Sequence, residues 1–137
     1  MKISRVILVV VVLTLTAVSQ KIDPRLSGIH ALFIKGNNQA AEGARKELEK
    51  DETKHKGCLT LATNPKDSDA SLEIAAESSA AGSLGVRDWI ASGSLTTTNG
   101  DVLWQESERF SDAPFQSGGK TAGKLLYLRL RHTACGK

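Results

Sequence analysis

The sequence predicts an α+β fold: a mixed sheet of about five strands with two helices packed on one face, in the order β-α-β-β-β-β-α. Three observations predict it. Short apolar segments bounded by turn residues recur at 29–34, 58–62 and 70–76, and two longer ones follow at 89–98 and 101–107. Two further segments, 39–50 and 120–132, admit apolar residues at helical spacing. Between the two longest strand candidates stands Asn99-Gly100, a dipeptide suited to the positive backbone angles of a type I′ hairpin turn.

Ahead of these elements lies a targeting pattern. Lys2 and Arg5 make a basic start, Val6 to Val18 is apolar except for Thr14 and Thr16, and Ala17-Val18-Ser19 supplies the small residues of a cleavage site. Residues 1–19 therefore read as a secretory signal peptide. The apolar run falls short of the roughly 20 residues that span a bilayer, so no stable membrane insertion is expected once the signal is removed. The expected location is periplasmic or secreted. Residues 20–28 contain Asp23-Pro24 and Ser27-Gly28 without periodicity and read as a linker, leaving 29–137 as a single domain.

Within that domain, Ile29 to Ile34 reads as a strand ended by Lys35-Gly36-Asn37-Asn38, a turn and helix cap. Ala41, Ala44 and Leu48 then mark the apolar side of an amphipathic helix, in which Gly43 signals either a close approach or a neutral surface site. Cys58 to Ala62 suggests a second strand, stopped by Asn64-Pro65, and Ala70, Leu72, Ile74 and Ala76 a third with one apolar face. Glu77 to Asp88, rich in Ser, Ala and Gly, reads as a long mobile loop.

In the hairpin, pairing of Thr98 with Asp101 sets Leu95 opposite Trp104 and Thr97 opposite Val102. Trp89, Ala91, Leu95, Val102 and Trp104 then share the core face. Leu95, Asn99, Gly100 and Trp104 are accordingly structural candidates. Phe110 to Gly119 reads as irregular. Lys120 to His132 carries two competing periods, since Leu126, Leu128 and Leu130 alternate as in a strand while Ala122, Leu125, Leu126 and Leu130 fit one broad helical side. Unbranched Leu, Lys and Ala after a Ser-Gly-Gly cap favour helix.

Cys58 and Cys135 are the only cysteines, and in an exported chain such a pair predicts a disulfide, which the chain-entropy argument values at roughly 3 to 4.5 kcal/mol. The net charge of +3 falls to near +1 without Lys2 and Arg5, and the cationic end from Lys120 onward reads as a solvated helix face, so no nucleic-acid partner is expected. Catalytic patterns fail on spacing. Gly82-Ser83-Leu84-Gly85 lacks the Gly-x-Ser-x-Gly elbow, and Gly118-Gly119-Lys120-Thr121 has Pro114 where a phosphate-binding loop needs glycine. His55, Cys58, His132 and Cys135 lack the two close pairs of a structural zinc site, and Asp67 and Asp69 read as solvated loop carboxylates. No metal, cofactor or catalytic residue is expected.

Three stretches carry a family resemblance. Lys46-Glu47-Leu48-Glu49-Lys50 closes a helix that leads to a strand. Asp67-Ser68-Asp69-Ala70-Ser71-Leu72-Glu73-Ile74 enters a central strand after an acidic residue and alanine. Gly93-Ser94-Leu95 with Asn99-Gly100-Asp101-Val102-Leu103-Trp104 forms the hairpin before a Gly-Lys-rich helix start. In these the chain resembles small secreted or lipoprotein-like domains of bacterial envelopes, distantly like the amino-terminal module of the translocation protein TolB and the curli-export lipoprotein. It departs from the lipid-anchored members in lacking an acceptor cysteine after the signal. The resemblance implies an exported binding or scaffold module without catalytic activity, whose partner is another envelope protein. The alternative is a small hydrolase-type enzyme acting on an envelope substrate, with its site around the Glu77 to Asp88 loop.

Overall fold

The computed structural model describes residues 22–80, 86–112 and 118–136, so the expected signal segment 1–19 lies outside the described residues. Strands β1 (Ala31–Lys35), β2 (Thr60–Leu61), β3 (Ala70–Ala80), β4 (Arg87–Thr97) and β5 (Val102–Asp112) form one sheet in the order β2-β1-β3-β4-β5. Helix α1 (Gln39–Thr53) follows β1, and helix α2 (Gly118–Cys135) ends the fold. β1 runs parallel to both β2 and β3, whereas β3-β4 and β4-β5 are antiparallel. The predicted α+β class and element order are those observed, with α2 a helix.

The covered face of the sheet carries Leu32, Ile34, Leu72, Ile74, Ala91, Leu95 and Trp104, all buried against α1 and α2. Asn38 caps α1 by accepting from the Ala41 N–H at 2.9 Å, and its amide donates to the Ile74 carbonyl at 2.8 Å, which ties the helix start to the sheet. Small residues then let the helices meet backbone to backbone. A Cβ added to Gly43 would overlap the Lys120 carbonyl, and one added to Gly123 would overlap the Ala40 carbonyl. Gly43 is thus a close-approach glycine.

The hairpin differs from its expected form in an instructive way. Gly100 alone has positive φ, at 91°, while Asn99 does not, so the turn is not type I′. Instead the Gly100 N–H donates to the Thr97 carbonyl at 3.0 Å and the Thr97 N–H to the Asp101 carbonyl at 2.9 Å, closing a loop of residues 98–100. Thr96 consequently faces Val102, and a bulge then restores the expected Leu95–Trp104 pairing. The extra residue turns two neighbours inward, Leu103 and Trp104 at 7% and 8% exposed, and leaves Val102 outside at 51%. Val102 does not belong to the core face.

Three boundaries also move. Glu77 to Ala80 continue β3 and Arg87 and Asp88 begin β4, paired as far as Ala80 with Arg87, so both ends of the expected long loop are ladder; its residues 81–85 lie outside the described ones. Paired backbone holds a Ser- and Ala-rich strand without bulky side chains. For the same reason β5 continues through Phe110 to Asp112, where irregular chain is expected. In the expected linker 20–28, Pro24–Gly28 form a 3-10 helix that buries Leu26, with the Asp23 carboxylate accepting the Arg25 N–H at 2.9 Å. One turn is too short to show a period.

Candidate interaction surface

The predicted disulfide is formed: Cys58 and Cys135 are bonded with their Cα atoms 5.6 Å apart, fastening the last turn of α2 to the chain entering β2. Leu95 and Trp104 face each other in the core, and Asn99 and Gly100 sit at the hairpin tip. These residues build the scaffold and do not converge on one site. No group of three or more His, Cys, Asp or Glu side chains that could hold a metal is found among the described residues, nor is any helix there long and apolar enough to cross a membrane.

Beside the disulfide lies a buried polar cluster that the sequence reading missed. The Asp51 carboxylate, 3% exposed, accepts from the Tyr127 hydroxyl at 2.7 Å and from Arg131 Nη1 at 2.9 and 2.8 Å. Burial, then the hydrogen bond to Asp51, pushes the Tyr127 hydroxyl above its ordinary pKa, and Asp51 likewise raises that of Arg131. Tyr127 is fully enclosed, so the cluster clamps the two helix ends together. A signal existed: Asp51 stands three residues after Leu48, on the buried side of α1, and Tyr127 and Arg131 are four apart on α2. Asp69 is an exposed loop residue, as expected, but it also has a structural role. Its carboxylate accepts the His30 and Ala31 N–H groups at 2.9 and 2.8 Å, which lowers its pKa and pins the start of β1 beside β3.

Among the described residues, no helix covers the opposite sheet face. Its central rows present short polar side chains: Ser71 beside Thr96, Glu73 beside Ser94 and Gln105, Ala75 beside Ser92 and Ser107. The Ser92 and Ser107 hydroxyls lie 3.1 Å apart. A shallow depression of about 650 Å³ runs across these rows, and a second of similar size, lined by Phe33, Lys35, Lys66 and Thr96, meets it at Glu73.

The edges of the sheet are unequal. β2 has two residues, but β5 has eleven and, among the described residues, no strand on its outer side. Next to its beginning, Ile22 and Val102, the large hydrophobics left exposed among the described residues, border a depression of about 400 Å³. Midway along, Arg129 of α2 pairs with both Glu106, at 3.2 Å, and Glu108, at 2.5 Å. An unpaired strand of this length offers backbone donors and acceptors to another chain.

Two helices on one face of a five-stranded mixed sheet, with the other face and one long edge bare among the described residues, define a two-layer α+β sandwich. Two solved structures share it: the PelC dodecamer from Paraburkholderia phytofirmans in space group P6 (TM-score 0.52, 14% identity, covering 77% of this chain and 88% of that one), and a leucine-to-methionine variant of that dodecamer in space group C2 (TM-score 0.53, 15% identity, 77% and 87%). At these identities the likeness shows the fold alone. No protein-family model and no curated protein matches the chain.

Proposed function

We propose that this chain is an exported module of the bacterial envelope that binds or scaffolds another envelope protein, catalyses no reaction of its own, and docks through the free edge of β5. The observation that carries this reading is the asymmetry of the sheet edges, eleven residues open on one side against two on the other. Strand addition at such an edge supplies affinity through main-chain hydrogen bonds and needs no enclosed pocket. The targeting pattern of residues 1–19, the resemblance to TolB-like and curli-export domains, and the fold shared with an assembled protein, PelC, support the same reading. The hydrolase alternative places its site around Glu77 to Asp88, of which Glu77 to Ala80 and Arg87 to Asp88 are paired in the sheet.

A photo-crosslinking amino acid placed at Ser107, on β5, tests the proposal in cells expressing the full chain with its leader. Crosslinks to one discrete envelope protein from position 107, and none from Lys46 on the outer side of α1, are expected. Retention in the cytoplasm, or crosslinks from position 46 alone, would overturn it. A second reading, assembly of several copies, is favoured by the PelC dodecamers. A single-chain mass by sedimentation would remove it.

A further inference from the structure

Resting on the docking role given to β5, we infer that the incoming strand is a basic extended segment of a different protein, with lysine or arginine at two alternate positions between apolar residues. The side of β5 that faces the helices reads Trp104, Glu106, Glu108, Phe110, two carboxylates between two aromatic rings. Both carboxylates share the single guanidinium of Arg129, so one negative charge is left over. Their side chains are only 31% and 19% exposed, which weakens the screening that water gives to surface charges. Across an added strand, side chains directly opposite stand about 5 Å apart, within reach of that surplus charge. On the other side of β5, Gln105, Ser107 and Arg109 ask only for polar neighbours, and Arg109 makes no ion pair among the described residues.

A second copy of the chain fits this edge badly. Antiparallel self-pairing centred on Ser107 would match Trp104 with Phe110 but set Glu106 against Glu108 twice, gathering four carboxylates around two guanidinium groups. Centring on Glu106 or Glu108 sets that carboxylate against its own copy. Like charges directly opposite destabilise a strand pair, and charges placed this way are a known guard against edge-to-edge association. The chain's own alternating bases, Arg129 and Arg131 in α2 and Lys54 and Lys56 in the turn that closes α1, are held by backbone hydrogen bonds and are not free to extend.

Titration of the purified protein with the peptide Thr-Val-Thr-Lys-Thr-Lys-Thr-Val-Thr tests the inference, beside its counterpart with Glu in place of Lys, followed by amide chemical shifts and hydrogen exchange of β5. The lysine peptide is expected to bind and protect β5 amides, about tenfold more weakly at the Glu106→Gln, Glu108→Gln double variant. Arg129→Gln, which enlarges the surplus charge, should bind it more tightly; melting curves of all variants establish that they fold. Equal binding of the two peptides, weaker binding to Arg129→Gln, or a concentration-dependent dimer that protects β5 would each overturn the inference while leaving the Ser107 crosslink standing. Loss of that crosslink as well would remove the docking role itself.

Discussion

The two faces of this sheet are made from the same strands and obey opposite rules. On the covered face, backbone touches backbone: Gly43 and Gly123 let α1 and α2 approach until no methyl group fits between them. Leu95, Trp104 and Leu126 fill the space beneath. On the open face the same strands carry serine, threonine and glutamate at the surface, where water completes what neighbours do not. The comparison teaches where identity matters. Inside, shape is decided to within a methyl group, while outside almost any short polar residue serves the fold.

Placing valine at matched positions breaks or sharpens that contrast. Gly123→Val should act most strongly, because its side chain meets the Ala40 carbonyl, which cannot rotate away. The helices must separate, at a cost beyond the usual overpacking range of about 1–3 kcal/mol, and circular dichroism should show an unfolded or molten chain. Trp104→Ala comes next. Its 8% exposure predicts a loss of roughly 3–5 kcal/mol by chemical denaturation. At the hairpin tip a Cβ on Gly100 has open space around it but a backbone φ of 91°, so Gly100→Val should cost only about 1–2 kcal/mol, all of it strain.

At the rim between the faces the expected effect is a slope with pH. Asp69 has its pKa lowered by the Ala31 and His30 N–H groups, so the folded chain holds its proton less tightly than the unfolded one. Its contribution is fully present above the ordinary aspartate value of about 3.9 and is lost as pH falls through the lower folded value. Asp69→Asn should flatten stability against pH in that acid window, as measured by urea midpoints at successive pH values. Ser92→Val closes the series on the open face, with an expected change within about 0.5 kcal/mol. A large loss there would mean that the open face is packed in solution.

The covered face was the legible one. Alternation exposes Leu72 and Ile74, and helical spacing exposes Ala41, Ala44 and Leu48, because burial repeats with the period of the element. Leu95 opposite Trp104 was also readable, although through two compensating departures: one more residue in the loop, and one more in β5 at the bulge. Distant partnerships leave no such trace. The clamp of Asp51 by Tyr127 and Arg131 joins residues 76 and 80 apart, and a sequence period reports only on its own element. The bare edge of β5 was invisible for a related reason, since which strand ends a sheet depends on the order of all the others.

The bridge between Cys58 and Cys135 also sets a timetable. Synthesis delivers the chain from its amino end, so every strand and nearly all of α2 must be made before the second sulfur arrives. During that interval Cys58 waits alone, a single thiol open to exchange with any disulfide it meets. In the folded chain α2, settled onto the sheet, holds its partner beside it with the Cα atoms 5.6 Å apart. The covalent seal therefore cannot close until almost the whole chain has been made.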